Sequence, residues 1–281
     1  RRAYSEFAPS DIQGQTDLLW GIVDGFNDSG FQVPDFYFDQ RLFDDKLALR
    51  YGQFSIDSFV DKHSMRGAKR YFLNQAFSSN PTVNVPSFGA GFATTWKPTD
   101  RWELSAGISN IQGVEGDAQV DFSLDSSALF GTIQAAYSFT GLDGKGARLQ
   151  IMGWGGDEND VDDYRGGRGF SATLEQEGRE ENEVYVVRLA QSYGDPTDTD
   201  TLLFIGHGKQ IRGFDGFGLG VGTGRSTVTG IWQSVVETYY RWQVTKELVI
   251  TPDLQLIFGS DDDTKESKAR LVGGIRLGII F

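Results

Sequence analysis

Cysteine is absent from the 281-residue sequence and histidine occurs twice. The first absence removes thiol nucleophiles, thiolate metal sites and any internal disulfide framework; the second leaves little room for imidazole chemistry. Basic residues are in deficit, 26 Lys and Arg against 39 Asp and Glu for a formal charge of −13, so nucleic acid is not an expected partner. Long apolar runs are missing too. The longest stretch without a charge, residues 71–96, is interrupted by Asn74, Gln75, Asn80, Pro81 and Pro86, which a spanning helix of about 20 apolar residues would not hold. No signal-peptide pattern stands at Arg1, so the sequence reads as a mature or clipped chain.

Aromatics and glycine are abundant: 21 Phe, 10 Tyr, 6 Trp and 36 Gly beside only 7 Pro. That mixture favours strands and tight turns. Two-residue periodicity predicts strands at 16–27, 36–43, 46–57, 88–98, 101–110, 128–139, 147–157, 169–178, 183–192, 201–213, 216–226, 233–245, 248–260 and 268–281, about fourteen in all, with no amphipathic helix. The connections alternate in length. Short ones fall at 44–45, 99–100, 141–146, 179–182, 214–215 and 246–247; longer polar ones fall at 28–35, 58–87, 111–127, 158–168, 193–200, 227–232 and 261–267. An outer-membrane barrel turns this way, short on the periplasmic side and long outside.

The strand faces carry the same message. Val236, Tyr240, Trp242 and Val244 oppose Glu237, Tyr239, Arg241 and Gln243, and Leu271, Ile275, Leu277 and Ile279 oppose Lys268, Arg270 and Arg276. A soluble sandwich alternates as well. Two features favour the membrane. Aromatics gather near strand ends (Trp96, Trp102, Phe139, Trp154, Phe170, Tyr193, Phe214, Trp232) as interfacial girdles do. The chain also stops on an apolar strand ending in Phe281, which looks like the C-terminal signal read by the barrel insertion machinery. The alternating glycines of 216–224 do not fit G-x-G-x-x-G; they read as a strand with Phe217, Leu219 and Val221 facing lipid and glycine facing inward, leaving lumen space.

Three stretches resemble the carbohydrate-selective porins, the OprB family. They are Glu237-Thr238-Tyr239-Tyr240-Arg241-Trp242-Gln243 with Thr251-Pro252-Asp253-Leu254-Gln255 beyond it, Asp39-Gln40-Arg41-Leu42-Phe43-Asp44 continuing into Leu47 to Phe54, and Phe72-Leu73-Asn74-Gln75-Ala76-Phe77 before Pro81. The chain departs from the pattern at Gly259 to Asp263 and in a shortened N-terminal region. The resemblance implies one transmembrane antiparallel up-and-down barrel over residues 1–281, with sixteen strands. It also implies passive diffusion of small sugars, monosaccharides such as glucose, across the bacterial outer membrane into the periplasm, without cofactor, metal or catalysis. A general or anion-selective porin is the alternative.

By strand phase the pore-lining candidates are Asp39, Arg41, Arg50, Glu103, Arg148, Arg188, Glu237, Tyr239, Arg241, Asp253, Gln255, Arg270 and Arg276, with Gln134 and Gln150 beside them. Neighbouring strands place Arg241 near Asp253 or Gln255, and Arg270 near Asp253. The 58–87 connection is the longest, and connections of that length are usually functional or disordered. With its basic cluster Lys62, His63, Arg66, Lys69 and Arg70, it is expected either to fold inward and narrow the channel or to cap the mouth or meet another subunit. Acidic runs at Asp157, Glu158, Asp160, Asp162, Asp163 and at Asp261 to Asp263 lack EF-hand spacing and read as solvated loops, one variant being divalent bridging to lipopolysaccharide. Partners beyond sugars are outer-membrane lipid, and the sequence leaves a homo-oligomer open. With His63 in a long loop and His207 between two glycines, no Ser, His and acid constellation supports an enzyme.

Overall fold

The computed structural model describes residues 18–24, 33, 35–111, 120, 122, 124, 128–159, 164–259 and 269–280. Thirteen antiparallel strands follow one another in a single sheet in sequence order: β1 Phe36–Leu42, β2 Leu47–Phe54, β3 Gly89–Trp96, β4 Trp102–Asn110, β5 Leu129–Thr140, β6 Gly146–Gly156, β7 Gly167–Glu177, β8 Glu183–Tyr193, β9 Thr199–Arg212, β10 Asp215–Ser226, β11 Trp232–Gln243, β12 Leu248–Phe258 and β13 Arg270–Ile279. Among the described residues β1 pairs with β2 alone and β13 with β12 alone. The turns between an odd strand and the next even one span 2–5 residues, and the returns span 5–34. The one α-helix among the described residues, α1, is a single turn at Gln75–Ser78.

Thirteen of the predicted strands are present. The expected strand over 16–27 is not formed in its described part: residues 18–24 run as bends, and Leu18, Leu19, Trp20 and Ile22 are buried. The physical reason is that the apolar residues of this stretch are consecutive, and they are satisfied from all sides inside the sheet's concavity rather than from one face of a ladder.

Alternation sorts the sheet into two faces. On β11, Gln233, Val235, Glu237, Tyr239 and Arg241 are buried, while Thr238, Tyr240 and Trp242 are exposed. The outer face is dominated by apolar side chains, from Ile133 at 69% exposed to Ile205 at 53% and Leu271 at 69%. Aromatics crowd its two rims: Trp96, Trp102, Trp242 on the side of the short turns, Phe170, Tyr193 and Trp232 on the other. Trp154 departs from the expected girdle. It is buried and stacks on Phe130 with ring centroids 5.9 Å apart, because its strand position has the inward phase.

Two apolar clusters fill the inner face. One joins Leu18, Trp20, Met65, Phe72 and Phe77 to Phe204, Val235, Tyr239 and Ile257. The other joins Phe54, Ile56, Val60 and Val83 to Phe130, Met152 and Trp154. Both are made by the connection after β2 packing on the inner wall. The glycines of β10 are therefore not open space, contrary to the sequence expectation: a Cβ at Gly222 would come within 2.8 Å of the Phe77 ring, and one at Gly224 within 2.5 Å of Trp20. Glycine lets these rings lie against the backbone of the wall.

Candidate functional site

Residues 55–88 leave the long-connection side at β2, cross the concavity and return to β3 at the same side. Their backbone donors and acceptors are drawn away from water, so each needs a partner, and inward-facing wall residues supply them at two places. At the first, Arg188 of β8 donates to the Ser79 carbonyl at 2.8 Å, the Asp61 carbonyl at 3.2 Å and Thr173 Oγ1 at 3.2 Å, and its guanidinium pairs with the Asp61 carboxylate. Asp61 also accepts from Ser171 Oγ and Asn80 Nδ2, both at 3.1 Å, and its N–H donates to Gln134 Oε1 at 2.8 Å. The outgoing and returning limbs are thus knotted to β5, β7 and β8.

The second place is on β11 to β13. The Glu237 carboxylate accepts from the N–H of Leu73 at 2.5 Å and of Asn74 at 3.0 Å, one to each oxygen. Asn74 donates its Nδ2 to Gln255 Oε1 at 3.0 Å while its own Oδ1 caps α1 by accepting from the Ala76 N–H. Arg241 donates to the carbonyls of Arg70, at 3.0 Å, and Phe214; Arg276 donates to those of Tyr71, at 2.9 Å, and Ala68. Phe72 meets Tyr239 edge-on at 5.2 Å. Residues 18–24 lie on the same bridge: the Gln75 N–H donates to the Gly21 carbonyl at 3.0 Å, the Asp24 N–H to the Leu73 carbonyl at 2.8 Å, and Gln255 Nε2 to the Ile22 carbonyl at 2.8 Å.

A cavity lies on each side of the bridge. The one of about 360 Å³ opens among the long connections and is lined by both charge signs, including Asp24, Asp57, Arg66, Asn84, Arg165 and Asp198. Arg66 and Asp57 pair at 2.6 Å, and Arg165 and Asp198 at 2.8 Å. The second, of about 270 Å³, lies toward the short turns and is lined by Ser64, Tyr71, Glu175, Lys209, Tyr239 and Arg241 among others. The His63 ring, on the bridge itself, faces the inner wall 5.8 Å from Phe204. Burial, with the Arg188 and Arg66 guanidiniums nearby, holds it well below the usual histidine range, so it is neutral at pH 7.

The thirteen sequence candidates divide into groups. Arg188, Glu237, Arg241, Gln255 and Arg276 hold the bridge, with Tyr239 packed beneath it. Asp253 accepts from Gln255 Nε2 at 3.1 Å within the same wall. Arg50 pairs with Asp39 at 3.0 Å and covers the Tyr37 ring at 3.8 Å; Glu103 pairs with Arg148 at 2.9 Å, and Arg148 also donates to Gln150. Arg41 sits beside the β1–β2 turn, 67% exposed and 3.7 Å from Asp45. Arg270 donates to the Gly259 carbonyl at the far end of β13. Its register partner is Ile257, whereas Asp253 stands opposite Gly274, so the expected approach of Arg270 to Asp253 is not the one formed. Likewise Arg241 gives its hydrogen bonds to bridge and turn carbonyls, not to Asp253 or Gln255.

Asp61, Arg165 and Asp198 are not legible in the sequence as site residues, since they lie on connections where no periodicity assigns a face; Asp24 and Asp57 fall near the ends of the expected strands 16–27 and 46–57, and the structure forms no strand at either. The Asp57 to Arg66 stretch, dense in both signs, is the available signal. Of the acidic runs, Asp157 accepts the Leu129 N–H at 3.0 Å; Asp160, Asp162, Asp163 and Asp261 to Asp263 lie outside the described residues, as does Phe281.

A family model described as carbohydrate-selective porin, OprB family, matches residues 7–281. No curated protein matches the chain. Among solved structures it is similar to the high-pH structure of Pseudomonas putida OprB, at 14% identity and a TM-score of 0.72 over 93% of this chain and 76% of that one. It is also similar to the low-pH structure of the same protein, at 14% identity and a TM-score of 0.57 over 88% and 67%. At such identity the likeness is one of fold.

Proposed function

The chain belongs to the carbohydrate-selective porin, OprB family, outer-membrane β-barrel channels that are not enzymes, and from that premise we propose that it admits small sugars, monosaccharides such as glucose, to the periplasm by passive diffusion past a constriction made by the 58–87 bridge. Selectivity in a pore of this kind comes from its radius and from the groups lining it. One observation carries the reading: a segment anchored at both β5–β8 and β11–β13 crosses the inner face and leaves a polar cavity on either side. The outer cavity falls within the range of about 300–1,000 Å³ usual for small-ligand sites.

Paired carboxylates and guanidiniums suit a hydroxyl-rich neutral solute, which both accepts and donates hydrogen bonds. The mixture of signs favours this over an anion-selective pore. The apolar outer face suits lipid, with lipopolysaccharide beside the long connections, and a C-terminal strand for the insertion machinery; a homo-oligomer would use the same outer face. In a planar bilayer, glucose added at millimolar concentration is expected to reduce the ion current saturably. Current indifferent to a panel of sugars would leave only a general diffusion pore.

A further inference from the structure

Two fully buried side chains of the inner wall, Glu237 and Arg188, make most of their hydrogen bonds to the bridge: Glu237 accepts from the N–H groups of Leu73 and Asn74, and Arg188 donates to the carbonyls of Asp61 and Ser79. We propose that Glu237 and Arg188 are positioning residues for solute passage: they fix where the bridge crosses the lumen, and through it the channel's discrimination among sugars. The inference rests on the reading of the bridge as the constriction.

A crossing as long as residues 55–88 is held in one place by two kinds of contact. Its apolar contacts, Phe72 and Phe77 against Phe204 and the β10 glycines, are non-directional. The polar contacts are directional. Glu237 presents one oxygen to each of two successive N–H groups, a bidentate arrangement that fixes both position and orientation. Arg188 does the converse, gripping carbonyls of both limbs, Asp61 and Ser79. Glu237 and Arg188 are both fully buried, so neither set of bonds is lost without leaving buried polar groups unpaired.

The two clamps lie on different strands of the wall, β8 and β11, and divide the bridge into spans. Between them run Lys62 to Phe72 on the way out and the α1 turn on the way back. The outer cavity is bounded by Asp61, Arg66, Gln75, Ser79 and Asn80 from the bridge itself. Loosening either clamp therefore displaces the cavity floor relative to wall groups such as Phe130 and Thr132, which do not move with it. Arg241 and Arg276 reinforce the second clamp through the Arg70 and Tyr71 carbonyls. Neither fixes both limbs.

The test uses the full chain refolded in detergent, its heat-modifiable gel band checked for each variant, and glucose block of single channels as the readout. Glu237→Gln keeps the size of the side chain but turns one acceptor into a donor facing an N–H. It is expected to raise the half-blocking glucose concentration about tenfold, the factor of one buried hydrogen bond left unmade, with added open-channel noise. Glu237→Asp restores part of the shift, and Arg41→Gln, at the exposed turn, matches the parent. Should Glu237→Gln fail to fold, Asn74→Ala loosens the same seat from the bridge side and carries the same expectation. A folded Glu237→Gln or Asn74→Ala, together with Arg188→Lys, blocked by glucose as the parent is, overturns the proposal. Removing residues 66–78 distinguishes the levels: unchanged conductance and block there sink the constriction itself, whereas an altered channel with inert clamp variants sinks only the clamp.

Discussion

The Arg188 guanidinium stands 3.2 Å from the Asp61 carboxylate, and the two side chains are 0% and 5% exposed. A pair so buried is costly to break on one side, because the survivor is left charged and dry. Arg188→Leu is expected to lose about 3–5 kcal/mol, whereas Arg188→Leu combined with Asp61→Asn loses clearly less. Urea unfolding of the reconstituted barrel measures both. Equal losses in the single and double variants would mean that the pair is not coupled as described.

The outer face makes a second prediction. Ile205 lies mid-strand on β9, opposite Val187 and Val221, and Tyr193 ends β8. Ile205→Arg should cost about 2–4 kcal/mol in lipid and Tyr193→Arg about 0–1 kcal/mol, the depth dependence of a bilayer. A flat penalty along the strand, read by unfolding in vesicles, contradicts the assignment of this face to hydrocarbon.

Glycine on β10 is predicted to be intolerant where a ring lies over it. Gly222→Val meets Phe77, and overpacking of this kind costs about 1–3 kcal/mol, with a change in single-channel conductance as the bridge shifts. At Gly273 on β13 an added Cβ would meet nothing within 4 Å, so Gly273→Ala leaves both stability and conductance alone. Identical behaviour at the two sites would remove the packing argument.

Asp198 separates lining from architecture. It is half exposed and its bond to Arg165 is a surface pair, worth about 0–1 kcal/mol. Asp198→Asn should therefore melt with the parent yet shift glucose block, since it changes the charge bordering the outer cavity. Unaltered block over a range of salt concentrations excludes it from the solute path.

Acidification acts through His63. Burial with Arg188 and Arg66 nearby lowers its folded value, while the unfolded ring titrates near about 6.5. Between those two values the unfolded chain binds the extra proton, so the stabilisation present above about pH 6.5 is lost as pH falls toward the lowered value. The temperature at which the folded gel band disappears should drop between pH 7.5 and 5.5, and drop less in His63→Gln. Parallel pH slopes would place the sensitivity elsewhere.

Strand positions and turn lengths are legible in the sequence because a two-residue period and polar turn chemistry are local signals: thirteen strands fall within three residues of their expected limits. The inward phase of Arg188, Glu237, Arg241, Gln255 and Arg276 is legible for the same reason. What these residues do is not. Phase says that Glu237 points inward, but its partners, Leu73 and Asn74, come from a connection 164 and 163 positions earlier and carry no periodicity. The same blindness turns the β10 glycines into empty lumen, when the rings that lie on them belong to Phe77 and Trp20.

The segment at residues 18–24 adds a constraint on time. Leu19 donates its N–H to Gln233, 214 positions later, and Ile22 accepts from Gln255, 233 positions later. Such contacts wait for nearly the whole chain to arrive, and long-range closure of this order is slow. Seating residues 18–24 therefore requires the β11–β12 hairpin, and a wall that lacks it has neither the Glu237 clamp nor the contacts that hold this segment on the bridge.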